Sequence, residues 1–215
     1  MTKIILVRHG QSIGNLTRTF LGHTDLDLSE LGYKQAEATA NYLKYEKIDK
    51  IYSSDLKRAY NTALFHAKLR NLEVISSEKL REAYAGEWEN NNVDYLIEHW
   101  GRELFEKQWK ASFGTFTFPG GESVRAAGER FYEEIVRICN DNPDKTILVA
   151  AHAAVIRAFW GIISGISFDR LADEVAFPTN ASYSILTFEN GNFTPLEYSN
   201  DAHLSEVGVT KVNLI

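Results

Sequence analysis

Cysteine is nearly absent. Cys139 is the only one in 215 residues, so no disulfide can close within the chain, and a lone thiol inside a helical pattern reads as a small buried hydrophobe rather than a nucleophile. Positive charge is also scarce: 23 Lys and Arg face 29 Asp and Glu, a formal charge of −6. That excludes the broad basic face that nucleic acid demands. No apolar run approaches the ~20 residues of a membrane span. The stretch over residues 3–7 is too short for a secretory leader and passes directly into Arg8-His9. The expectation is a soluble cytoplasmic protein with neither nucleic acid nor membrane among its partners. Internal repeats and low-complexity tracts are missing too. What is present is 44% hydrophobic residues, enough for a substantial core, read as a single domain over 1–215.

The hydrophobic pattern alternates strand with helix. Ile4-Ile5-Leu6-Val7 is a continuous aliphatic run, the mark of a strand covered on both faces. After a loop-like stretch over 16–28, Ser29 N-caps a helix to residue 45, and 48–53 reads as a second strand. A helix over 56–70 and a short strand over 72–76 follow. Residues 123–140 form a patterned helix stopped by Asn140-Asp141-Asn142-Pro143. A further apolar strand occupies 146–150, with a helix over 153–163. Residues 182–188 and 193–198 read as a closing hairpin. The pattern predicts an α/β fold: three layers, α/β/α, with a mainly parallel central sheet and helices on both faces.

Residues of about 89–121 interrupt this alternation. Val93, Leu96, Ile97, Trp100, Leu104, Phe105 and Trp109 form one apolar helical stripe, and Phe113, Phe116 and Phe118 continue the aromatic run. Two readings fit: a helix packed on the body, or a helical, aromatic cap whose inner residues select the substrate.

Two apolar strands end in histidine. His9 follows Val7-Arg8, and His152 follows Val149-Ala150-Ala151. Neighbouring parallel strands lie ~4.8 Å apart, and ligands of open α/β sheets bind beyond the strands' carboxyl ends. Such ends can deliver two imidazoles to one pocket. A third strand end, Ser53-Ser54-Asp55, leads to Arg58 in the first helical turn, a position that already favours anions. Arg8 and Arg58 are thus candidates to meet one anionic ligand. The plainer alternatives are core histidines and ordinary ion pairs. No Asp/Glu/His cluster stands at metal-ligand spacing, so neither metal nor cofactor is expected.

Together these residues resemble the histidine phosphatase superfamily, the phosphoglycerate-mutase-like proteins, over nearly the whole chain. Arg8-His9-Gly10 with Asn15 matches the family signature, and Gly22, Asp25, Leu28-Ser29, Gly32 and Gln35-Ala36 match the segment after it. Ser54-Asp55-Leu56 with Arg58-Ala59 matches the second motif. Leu80-Arg81-Glu82, with Gly86 and Trp88-Glu89, is similar to the acid-bearing segment. Pro119-Gly120-Gly121-Glu122-Ser123 is similar to the link into the long helix, and His152 with Val155-Ile156-Arg157-Ala158 matches the second-histidine motif. The resemblance implies a nucleophilic His9 that becomes phosphorylated. Arg8, Arg58 and a cationic His152 would clamp the transferring oxygens, while Glu82 would act as general acid and then base. It also implies phosphate or substrate contacts from Asn15, Gly22 and the Ala153 N–H. Arg157, one turn beyond His152, reads as structural, and His23, His66, His99 and His203 read as surface or packing residues, with His23 in a loop that resembles the family's substrate-contacting segment.

The chain departs from the family pattern in Ala151-His152-Ala153, where Ser-His-Gly is usual, in Gln11 for glutamate, and in Asn90 for glycine. The implied activity is hydrolysis of small phosphomonoesters. The alternatives are a cofactor-dependent phosphoglycerate mutase and a non-catalytic phospho-ligand binder. A mutase carries paired arginines in a longer insertion and a tyrosine at the place of Ala85. Here there are only the scattered Arg102, Lys107 and Lys110.

Overall fold

Six strands form one mixed sheet whose centre is set by strands apolar on both faces. In β1 (Thr2–Arg8), Ile4 and Leu6 join the core on one side of the sheet, and Ile5 and Val7 the core on the other. A strand apolar on both faces is stable only when each is covered. It pairs in parallel with β4 (Thr146–Ala151), which pairs in parallel with β2 (Lys50–Ser53), and β2 pairs in parallel with β3 (Val74–Ser76). On its other flank β1 meets β5 (Tyr183–Glu189) antiparallel, and β5 meets β6 (Asn192–Asn200), giving the order β3-β2-β4-β1-β5-β6. The computed structural model describes residues 1–210, apart from the side chains of Gln108 and Lys110.

The helices α1 (Ile13–Thr17), α2 (Glu30–Tyr42) and α3 (Lys57–Arg70) precede α4 (Val93–Trp100). After it come α5 (Val124–Asn140), α6 (Ala153–Ile163) and the single turn α7 (Leu171–Glu174). Ala63 and Ala67 of α3 pack with Ile5, Val7 and Ile51 on one face, whereas Phe131 and Ile135 of α5 and Val155 and Phe159 of α6 pack with Ile4, Leu6 and Val149 on the other. The expected three layers are present.

Three local expectations change. The loop-like stretch 16–28 begins inside the five-residue α1, which is too short for periodicity to reveal and ends at Arg18 with φ 56°. The closing hairpin turns on two residues only, Asn190 (φ 51°) and Gly191 (φ 80°), so β5 lies one residue further along than expected and β6 is longer at both ends. The apolar stripe from Val93 to Trp109 is not one helix. Gly101 (φ 89°) ends α4, and the chain resumes as π-wound turns over Leu104–Lys110. That break turns the aromatics inward: Trp88 stacks on Phe105 at 5.0 Å, and Trp109 meets Phe20, Phe113 and Phe116 edge-on at 5.1–5.5 Å. Each such pair contributes about 0.5–1.5 kcal/mol beyond burial.

Candidate active site

The register of β1 on β4 places the histidines. Arg8 stands opposite Ala151, and the His9 N–H donates to the Ala151 carbonyl at 3.0 Å. The next residues along, His9 and His152, therefore meet with ring centroids 5.2 Å apart. After His9 the chain passes tightly under α2, and a Cβ at Gly10 would run into the Gly32 carbonyl. The Gly10 N–H is taken by Thr62 Oγ1 of α3 at 3.1 Å.

His9 Nδ1 lies 2.6 Å from the Gly10 carbonyl. A carbonyl only accepts, so Nδ1 carries the hydrogen and Nε2 keeps its lone pair. Burial, then the charges of Arg8 and Arg58, hold the His9 pKa well below the ordinary range. The ring is thus a neutral nucleophile at physiological pH. His152 is fully buried with neither ring nitrogen hydrogen-bonded. Burial, Arg58, His9 and Arg8 push its pKa down as well. Among protein groups alone this direction favours the neutral imidazole, and the expected imidazolium belongs to the phosphate-bound site.

Arg8 and Arg58 are both 2% exposed. Burial lowers each to about 10, against an opposing pull from Glu82, so both remain guanidinium at neutral pH. Arg8 Nη1 donates to the Pro178 carbonyl at 2.7 Å and its Nε has no partner. Arg58 donates to the carbonyls of Gly22 (2.7 Å) and Thr24 (2.9 Å), tying the loop after α1 to the start of α3. Glu89 pins the same loop by accepting from the His23 N–H at 2.6 Å and Thr24 Oγ1 at 2.9 Å. Gly22 has φ +47°, and a Cβ there would strike the Glu89 carboxylate and the Ala85 amide. The Asn15 Oδ1 accepts from Ser12 N, Ser12 Oγ and Asn180 Nδ2 at 3.0–3.1 Å, which leaves the Asn15 NH₂ as the end available to a ligand.

Glu82 comes from the irregular segment after β3 and lies on the N-terminus of α6. Its Oε1 accepts from the N–H groups of Ala83 (3.0 Å) and Val155 (3.2 Å), and its Oε2 from that of Ala154 (3.0 Å). Oε1 is filled by two donors, and Oε2 keeps one lone pair. Ala153 lines the same cleft.

Arg8, His9, Arg58, Glu82, Asn15, Gly22 and Ala153 thus share one cleft of about 620 Å³, its mouth included, whereas His152 is fully buried beside His9 and is not part of the lining. The apolar wall is Phe20, Trp109, Phe118 and Phe177. Phe177 gave no signal in the sequence, because it follows α7 and only the fold carries it to Trp109, 6.2 Å away. Ser12 and Phe20 were also missed, although their place beside the His9 and Gly22 motifs was a usable cue. Arg157 is structural, as expected. It donates to the carbonyls of Val175 (2.5 Å), Leu171 (3.2 Å) and Ala172 (2.8 Å), and its guanidinium stacks on Phe113 and Phe177 at 4.5 and 4.2 Å. His23 is more than a packing residue, since its Nε2 donates to the Glu82 carbonyl at 3.0 Å. Arg102 and Lys107 pair with Glu106 and Glu103 on the exposed face of the insertion. The Lys110 side chain lies outside the described residues.

Among the described residues, no group of three or more His, Cys, Asp or Glu is arranged to hold a metal ion, and no helix is long and apolar enough to cross a membrane. The chain is 33% identical to phosphoserine phosphatase 1 of Hydrogenobacter thermophilus over 96% of each protein. It is 34% identical to a 2,3-bisphosphoglycerate-dependent phosphoglycerate mutase of Bartonella tribocorum, over 80% of this chain and 85% of that one. A mycobacterial glucosyl-3-phosphoglycerate phosphatase superposes with a TM-score of 0.84 at 25% identity, covering 93% of this chain and 99% of its own. The model of the histidine phosphatase superfamily (branch 1) matches residues 4–201, and with this cleft at the ends of β1 and β4 the chain belongs to that superfamily.

Proposed function

We propose that the chain hydrolyses small phosphomonoesters in two steps, through a phosphohistidine formed on His9. The observation that carries this is the neutral His9 Nε2 held beside His152 in one cleft with the buried guanidiniums of Arg8 and Arg58. In the first step the Nε2 lone pair attacks phosphorus, the bond to the ester oxygen breaks, and the departing alkoxide takes a proton from Glu82 Oε2, the oxygen with a free lone-pair site. Arg8 and Arg58 neutralise the equatorial oxygens, and His152 and the Ala153 N–H donate to them. In the second step water attacks phosphorus, Glu82 takes its proton, and the bond to His9 breaks to release phosphate. These groups supply the charge and the proton, so the reaction as drawn calls for no metal and no cofactor.

The insertion acts in this proposal as a cap over the cleft, with Trp109 and Phe118 meeting the leaving group. The mutase alternative is weaker, because Arg102 and Lys107 are already paired on the exposed face and do not line the cleft. A pure binder would need neither nucleophile nor acid. Phosphoserine is the first candidate substrate, on the likeness to a phosphoserine phosphatase. A cytoplasmic location belongs to the same proposal and is checked by fractionation. The decisive test is phosphate release from phosphoserine by the wild type and His9→Ala, with acid-labile phosphate trapped on the wild type. Isomerisation of 3-phosphoglycerate without phosphate release would favour the mutase, and turnover surviving in His9→Ala would overturn the proposal.

A further inference from the structure

We infer that Arg130, on α5 and outside the cleft, is a positioning residue for the Glu82 carboxyl. The inference rests on the phosphohistidine reading and adds to it the device that holds the acid in place. Residues 81–85 belong to no helix or strand, so their backbone carbonyls need donors from elsewhere. Arg130 supplies them. Its Nη1 donates to the carbonyls of Lys79 (2.8 Å) and Arg81 (3.1 Å), and its Nη2 to that of Glu82 (3.1 Å). The remaining hydrogens go to the Glu122 carboxylate, Nε at 3.1 Å and Nη2 at 2.9 Å. All five N–H groups of the planar fork are used, on five acceptors.

Glu122 continues the clamp. Its Oε2 accepts from the Tyr84 N–H at 2.8 Å, and its own N–H donates to the Tyr84 carbonyl at 2.9 Å. The acid segment is thus held two residues beyond Glu82 as well as at it. The His23 Nε2 meets the Glu82 carbonyl from the opposite loop. Arg130 is charge-paired by Glu122 and absent from the cleft lining, so it acts through geometry and not by touching phosphate. A shift of about 1 Å in a catalytic group costs on the order of a hundredfold in rate. Lys carries three donors on one point and cannot reproduce the fork.

The readout is leaving-group dependence, which a merely structural residue would not move. An alkyl ester such as phosphoserine needs a proton on its departing oxygen, and dinitrophenyl phosphate does not. The kcat/KM of both substrates is measured for the wild type, Arg130→Met, Arg130→Lys and Glu82→Gln. For Arg130→Met the expected fall is about a hundredfold with phosphoserine and under about threefold with dinitrophenyl phosphate. Arg130→Lys should restore little. On the Glu82→Gln background, Arg130→Met should add nothing to the loss with phosphoserine. If Arg130→Met does not fold, Glu122→Gln, which weakens the same clamp, is read in the same way. Equal falls for both substrates, or no fall for either, would overturn the positioning role. Turnover surviving in His9→Ala is a separate failure, of the phosphohistidine reading, and leaves the leaving-group split to be judged by itself.

Discussion

Lowering the pH should destabilise this protein through its buried histidines, and His66 allows the size of the effect to be worked out. His66 stands on α3 with 0% exposure and no hydrogen bond to either ring nitrogen. Burial, then the charges of Arg70 and His203, push its pKa down from 6.5 to about 3. The unfolded chain therefore binds a proton below about pH 6.5 that the folded chain refuses until about pH 3, and stability falls as pH drops through that window. Each pH unit below the unfolded value removes about 1.4 kcal/mol, so between about pH 7.5 and pH 5 His66 alone costs about 2 kcal/mol. His9 and His152 are shifted in the same direction and add to the loss. The assay is urea unfolding of the wild type and His66→Leu at both pH values, with the m-value confirmed unchanged. The variant should lose about 2 kcal/mol less on acidification than the wild type. Identical losses for the two proteins would show that His66 takes up its proton in the folded state, and would refute the reasoning.

Two further outcomes follow from the cleft and its wall. Arg157→Met leaves three carbonyls near α7 without their donor and removes the stacking on Phe113 and Phe177, so urea unfolding should show a loss of about 3–5 kcal/mol; under about 1 kcal/mol would contradict it. Trp109→Ala removes apolar wall from the cleft and should raise KM for aryl phosphates about tenfold relative to glycerol phosphate, and an equal change for both would deny the wall a part in selection.

What was legible in the sequence is what local pattern controls. Strands buried on both faces show as aliphatic runs, and their carboxyl ends fixed the places of His9, Arg58 and His152 before any pairing was known. Helix starts were legible where a side chain caps them, as with Ser29 accepting from the Gly32 N–H and Ser123 from the Ala126 N–H. Cys139 was legible for the same reason: it falls on the buried side of α5, and burial pushes its thiol up to about 12. Features that depend on distant packing were not legible. Nothing local to Phe177 shows that it joins Trp109, and nothing local to Arg130 shows that its fork closes on residues 79–82. The electrostatic surroundings of His152 were not legible either, because they follow from burial and neighbouring cations, and residue type and motif report neither.

The departures from the family pattern sort by what the backbone demands at each place. Asn90 stands where glycine is usual, and its φ is +60°, a left-handed conformation that asparagine tolerates better than most residues. Ala153 also stands at a glycine position, yet it is the first residue of α6 and has no positive φ, so a Cβ costs no backbone strain there. Its effect must be steric, on the shape of the cleft that it lines. The donor logic survives the exchange. Glu82 takes the N–H groups of Ala154 and Val155, while that of Ala153, one residue after His152, is not among them. The same helix end thus holds the Glu82 carboxyl with two amides and leaves a third, which the proposed mechanism assigns to phosphate, a division that needs only the helical backbone and not a glycine.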